Sequence, residues 1–80
     1  MNAARQFVIK ANWDPEVSVW VAESDDIPGL STEAPSLDAL VAKLKVMIPE
    51  LIEANGVHDG DEIPFELIST LTAVAHRHYA

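Results

Sequence analysis

The sequence predicts a small α+β domain in which three strands, one helix and a fourth strand (β-β-β-α-β) form two layers. Two observations indicate the elements: residues 37–55 repeat apolar side chains at helical spacing, and the stretches on either side alternate in the manner of strands. A third observation limits the size. A chain of 80 residues has room for one domain, which we assign to residues 1–80.

The part of the chain before the helix predicts three strands. Residues 5–12 and residues 17–23 alternate apolar and polar side chains, and the short link between them contains Pro15, which favours a turn. These two strands are therefore expected to form an antiparallel hairpin. After the acidic loop 24–29, which ends in a Pro-Gly turn, residues 30–34 predict a short third strand.

The predicted helix carries signals at both ends. The Ser36 hydroxyl can accept a hydrogen bond from an amide of the first turn, and Gly56 can adopt the left-handed conformation after the last turn. Pro49 lies inside the pattern and deletes one amide, which predicts a kink, with a break as the alternative. The helix should turn four apolar side chains toward the sheet: Leu40, Leu44, Ile48 and Leu51.

The stretch after the helix predicts a long last strand. Residues 64–76 are rich in β-branched side chains and apolar on both faces, which is typical of a strand that is central or covered twice. A strand–helix–strand connection makes this strand parallel to one of the first three. An acidic loop, residues 56–63, links it to the helix.

One helix covers only one face of such a sheet, so the other face should carry exposed apolar side chains. An exposed apolar patch on a small domain usually marks an interface. We therefore expect a homodimer or a dimer of dimers. The candidate interface residues are Val8, Trp20, Ile68 and Val74.

The formal net charge is −8, with 13 acidic residues against 5 Lys and Arg. Since nucleic-acid affinity depends on neutralising phosphates, this balance argues against direct nucleic-acid binding. It is compatible with a basic protein partner, for which Asp25 and Asp26 are candidate contacts, although a solvated turn is the simpler interpretation of these two acids. The chain has no Cys, no secretory leader and no apolar run of membrane-spanning length, so we expect a cytoplasmic protein without a membrane partner.

No pattern in the sequence calls for catalysis. His58, Asp59, Asp61 and Glu62 lack the order of a calcium loop, and the tail pair His76 and His78 is better interpreted as exposed side chains. No Gly-x-Ser-x-Gly elbow or phosphate-binding loop is present. We therefore predict no catalytic residues, no bound metal, no cofactor and no enzyme activity, with a cryptic hydrolase as the weakest alternative.

Three stretches of the chain, taken in order, resemble the HicB-like antitoxin domain. They are residues 19–23 (VWVAE), 26–34 (DIPGLSTEA) and 36–40 (SLDAL). The family pattern is an apolar strand ending near an acid, an Asp-Leu-Pro-Gly turn, a short strand with Thr, a small polar cap and a Leu-rich helix. The Pro-Glu-Leu sequence at 49–51 is similar to a short, stand-alone, uncharacterised branch beside HicB. The resemblance covers residues 8–75.

The resemblance implies a partial ribonuclease-H-like fold without nuclease activity. HicB antitoxins bind and block HicA, a small basic toxin that cleaves RNA through a histidine, so it also implies that this chain is a protein-interaction domain that neutralises a HicA-type toxin. The alternative is a stand-alone structural or regulatory homo-oligomer with no toxin partner. Because no DNA-binding segment follows the predicted last strand, we expect no operator binding by this chain.

Overall fold

The computed structural model describes residues 6–56 and 62–78 and has the predicted β-β-β-α-β order, an α+β fold. Of the predicted loop 56–63, residues 57–61 lie outside the described part, and so do His58, Asp59 and Asp61. The five elements are β1 (Phe7–Asp14), β2 (Val19–Glu23), β3 (Ser31–Ala34), α1 (Leu37–Ala54) and β4 (Phe65–Thr70).

The four strands form one mixed sheet in the order β3-β2-β1-β4. β1 pairs antiparallel with β2 and parallel with β4, and β2 pairs antiparallel with β3. The parallel pairing of β4 with one of the first three strands confirms the sequence-based expectation. The prediction that the last strand is central or covered twice was wrong, because β4 lies at the edge of the sheet beside β1.

The helix begins and ends where the sequence predicts. The Ser36 Oγ accepts a hydrogen bond from the Ala39 amide at 3.1 Å, and Gly56 has a φ of 77° directly after the last turn. The helix continues through Pro49 without a break. Side chains four residues apart lie on one face, and this face supplies the buried helix residues, which are Leu40, Leu44, Ile48 and Ile52. Leu51, which we expected among them, is only half-buried.

The core lies between α1 and one face of the sheet. Its strand residues come from the alternating positions of β1, from Ala22 of β2, which is directly paired with Ala11, and from Ala34 of β3. Ile27 and Leu30, at the two ends of the Pro-Gly turn, are also buried. The Leu30 amide donates to the Ile27 carbonyl at 3.2 Å, and Gly29 has the positive φ, 88°, that this turn requires. The turn therefore closes one end of the core.

The hairpin turn is placed differently from the prediction, and this decides which face Trp20 occupies. β1 extends to Asp14 and the turn consists of residues 15–18, so Trp13 pairs with Trp20. Directly paired residues of antiparallel strands point to the same face. Because Ala11 and Ala22 of the same two strands are buried under the helix, Trp20 lies on the helix side. The expectation that Trp20 shares the uncovered face with Val8 and Ile68 was wrong.

Candidate interaction surfaces

The face of the sheet away from α1, here called the open face, carries a strip of aliphatic side chains with charged neighbours. Val8, Val19 and Val21 are half-buried there, and Ile68 is 46% exposed. The strand register places acids and one cation beside these aliphatic residues. Val8 is paired with Glu66, Val21 with Glu33, Ile68 with Lys10, and Lys10 also with Glu23.

Ser24 and Asp26 continue the pairing of β1 where β2 ends. The last β2 residue in register is Glu23, opposite Lys10. Beyond it, the Asp26 carboxylate accepts a hydrogen bond from the Val8 amide at 2.8 Å, and the Ser24 hydroxyl donates to the Val8 carbonyl at 2.6 Å. The Ser24 Oγ also accepts from the Asp26 amide at 3.0 Å. The loop thus uses two side chains to satisfy both polar groups of one strand residue.

The candidate contacts Asp25 and Asp26 lie at the margin of the open face. Together with Val8 and Lys10 they line a shallow depression of about 210 Å³. The structure therefore brings four sequence-predicted residues to one side of the sheet: Val8, Ile68, Asp25 and Asp26. Asp25 is exposed, whereas Asp26 has a structural role through its hydrogen bond to the Val8 amide.

A second concave surface, the Trp hollow, opens on the helix side at the end of the sheet near the start of α1. Its volume is about 420 Å³, and it is lined by Trp13, Trp20, Pro35, Ser36, Leu37, Asp38 and Leu71. The two indole rings meet edge to face, with centroids 5.4 Å apart and planes at 61°. The sequence pattern assigned Trp13 to a turn, and the pair was therefore missed. The sequence does carry a signal for this pair: Trp13 and Trp20 are each separated by one residue from the four-residue turn.

The chain continues from β4 into an exposed extension, residues 71–78, here called the C-terminal arm. The sequence pattern placed Val74 and His76 within a strand, but β4 ends at Thr70, the last residue that pairs with β1. Every arm residue is exposed, with Leu71 at 52% and Val74 at 77%. The structure gives the arm no hydrogen bond to any other described residue.

Within residues 6–56 and 62–78, no three His, Cys, Asp or Glu side chains come together in a way that could hold a metal ion. His76 and His78 lie exposed on the arm. The described part of the chain also contains no helix of the length and apolarity that crossing a membrane requires.

Comparison with known proteins relates the chain to proteins whose function has not been determined. The chain is 52% identical to a hypothetical protein, TTHA1013, from the extremely thermophilic bacterium Thermus thermophilus, whose crystal structure superimposes with a TM-score of 0.68. That alignment covers 91% of this chain and 100% of the other. The comparison with curated proteins gave no match. Residues 6–79 match the domain of unknown function DUF1902, and the protein belongs to this family.

Proposed function

We propose that this protein is a non-catalytic protein-interaction domain that associates with itself and binds a small basic protein on its open face. The partner class suggested by the HicB resemblance is a HicA-type RNA-cleaving toxin, which the domain would bind and neutralise. This function places the protein in the cytoplasm, where such a toxin meets RNA.

The open face is the observation that supports the proposal. It combines an aliphatic strip with acids that are exposed along its rim, as a surface for a basic partner requires. A net charge of −8 adds long-range attraction for a basic protein, which accelerates association and disfavours acidic partners. The aliphatic strip supplies area that gains free energy when water is excluded from it.

A second candidate function is a stand-alone homo-oligomer without a toxin partner. The C-terminal arm favours it, because Leu71 and Val74 are exposed on a segment that makes no hydrogen bond to the rest of the described chain. The two functions differ in one respect that can be measured. Only the first requires binding of a basic protein at the open face.

The proposal is tested by titrating the protein with a purified HicA-type toxin whose catalytic His has been replaced. Calorimetry should show a saturable complex, and Ile68→Glu should weaken it by at least about tenfold, because a charge would replace an aliphatic contact of the open face. Asp25→Lys should slow association and reduce its dependence on salt, since an exposed acid at the rim acts mainly through long-range attraction.

Two substitutions on the outer surface of α1 serve as matched controls. Val46→Glu changes an aliphatic side chain that is 61% exposed, and Glu53→Lys makes the same charge reversal as Asp25→Lys. Both should leave toxin binding unchanged. A complex that is equally sensitive to the control variants would place the toxin elsewhere on the domain. Absence of any complex with the toxin would refute the toxin proposal and leave the homo-oligomer.

A further inference from the structure

The single chain exposes more surface than a compact chain of its size, and the C-terminal arm is among its exposed parts. The accessible surface is 6074 Å², whereas a compact monomer of this mass exposes about 4,700 Å². The radius of gyration is 15.9 Å, against about 11.6 Å for a compact chain of this length. The arm contributes to this surplus because all eight of its residues are exposed.

The arm also differs from the rest of the domain in charge. It carries Arg77 between two His residues, and it contains no acid. The Trp hollow, by contrast, has Asp38 in its lining, and Asp14 directly follows Trp13 in β1. The tip of the arm is therefore complementary to the surface around the Trp hollow. A second copy of the chain supplies both surfaces, because each copy has one arm with a basic tip and one Trp hollow with acids around it.

We propose that the arm is exchanged between two copies of this chain. The two arms run antiparallel about a two-fold axis, and the tip of each arm reaches the Trp hollow of the other copy. The geometry is consistent because each arm starts at its own hollow, where Leu71 forms part of the lining. Eight extended residues span about 26 Å, which is long enough for the tip of each arm to reach the start of the other arm. Arm exchange rests on the proposed self-association, and it identifies the C-terminal arm and the Trp hollow as the contact between the two copies.

Light scattering over low to high micromolar concentrations tests the exchange with the full-length protein. The wild-type chain should be dimeric, and Val74→Glu should raise the dissociation constant at least about tenfold, because it places a charge in the middle of the paired arms. Val46→Glu, on the outer surface of α1, should leave the dimer intact. Circular dichroism should show the same fold for all three proteins, since residue 74 makes no contact with the core.

Tryptophan emission provides a second readout at the hollow itself. The chain contains two Trp residues, and both line the Trp hollow. If the partner's arm covers the hollow, emission should shift to the red when the wild-type dimer is diluted, and Val74→Glu should have the red-shifted spectrum at every concentration. Arg77→Glu should also weaken the dimer, and the weakening should be larger at low salt than at high salt, because the substitution reverses the charge opposite Asp38.

Single-cysteine variants locate the crossing point of the arms. The chain has no Cys, so Ala73→Cys, Val74→Cys and Ala75→Cys each introduce one thiol per copy. In antiparallel arms, a residue near the two-fold axis meets its own counterpart within disulfide distance. One of these variants should form a disulfide-linked dimer much faster than Val46→Cys under the same mild oxidation.

The outcomes separate arm exchange from the proposed function. A wild-type dimer that persists in Val74→Glu, with unchanged emission and no preferred cross-link, would overturn arm exchange and leave self-association at another surface. A wild-type monomer at high micromolar concentration would overturn both self-association and arm exchange. Toxin binding at the open face is measured independently, so its failure does not affect the arm.

Discussion

At the residue scale, side chains of the loop after β2 make hydrogen bonds to β1 where β2 has ended. The sequence suggested that Asp25 and Asp26 are equivalent acids in a solvated turn or at a partner contact. The structure separates them, because the Asp26 carboxylate accepts from the Val8 amide while Asp25 is exposed. A strand amide that loses its partner must find another acceptor or face water. Asp26 supplies that acceptor at the point where β2 ends.

Asp26→Ala should lower the free energy of unfolding by about 1–2 kcal/mol, because a hydrogen bond to a charged acceptor is lost at a site that water can reach. Urea denaturation measures the change. Asp25→Ala is the matched control and should change stability by less than about 0.5 kcal/mol, as exposed substitutions usually do. Equal effects of the two substitutions would contradict the structural role of Asp26.

At the element scale, α1 is a helix that tolerates Pro49 and also protects the neighbouring sheet edge. The helix continues from Leu37 to Ala54 although the Pro49 nitrogen carries no hydrogen to donate. Four buried side chains on its inner face, including Leu44 and Ile48, hold it against the sheet. The Lys43 ammonium donates to the Glu33 carbonyl of β3 at 2.6 Å. A charged group held at the edge of a sheet discourages pairing with another chain, and Lys43 of α1 places one at the β3 edge.

Pro49→Ala should raise the free energy of unfolding by about 1–3 kcal/mol, because Ala restores the amide and removes the steric conflict inside the helix. Pro49 is exposed, so the substitution leaves the core packing unchanged. Thermal and urea unfolding measure the gain. Pro49→Gly restores the same amide and should be about 1 kcal/mol less stable than Pro49→Ala. A loss of stability in Pro49→Ala would show instead that the proline stabilises the fold by restricting the unfolded chain.

At the scale of the whole molecule, small size and strong negative charge act together. A chain of 80 residues buries a limited fraction of its surface, so it gains much from a partner that covers its apolar side chains. The net charge of −8 repels nucleic acids and attracts basic proteins. Both properties favour function through protein contacts.

We expect no cleavage of RNA or DNA by this protein in the presence of magnesium or manganese. The physical reason is that an acidic surface repels a polyanionic substrate. Incubation with labelled RNA and DNA, followed by gel electrophoresis, measures the activity. Cleavage that survives repurification and is lost in Asp14→Asn would contradict this prediction and revive the hydrolase alternative.

The sequence alone determined the type and order of the elements. Helical spacing, the Ser36 cap and Gly56 predicted α1. Alternation predicted the first two strands, the position after the Pro-Gly turn predicted the third, and β-branched residues predicted the fourth. These signals are local, because hydrogen bonds and capping within a helix depend on neighbouring residues. The last strand was predicted at twice its observed length because alternation continues to His76, whereas a strand exists only where another strand pairs with it.

The tertiary structure alone decided which face each strand presents to the helix, and therefore which side chains are available to partners. Alternation separates Trp20 from Val19 and Val21 but does not say which set is covered. The four-residue turn sets the register of the hairpin, pairs Trp13 with Trp20 and places both on the helix side. Burial of Ala11 and Ala22 against α1 then leaves the valines on the open face. The face is a property of contacts between distant residues, so no local pattern could have determined it.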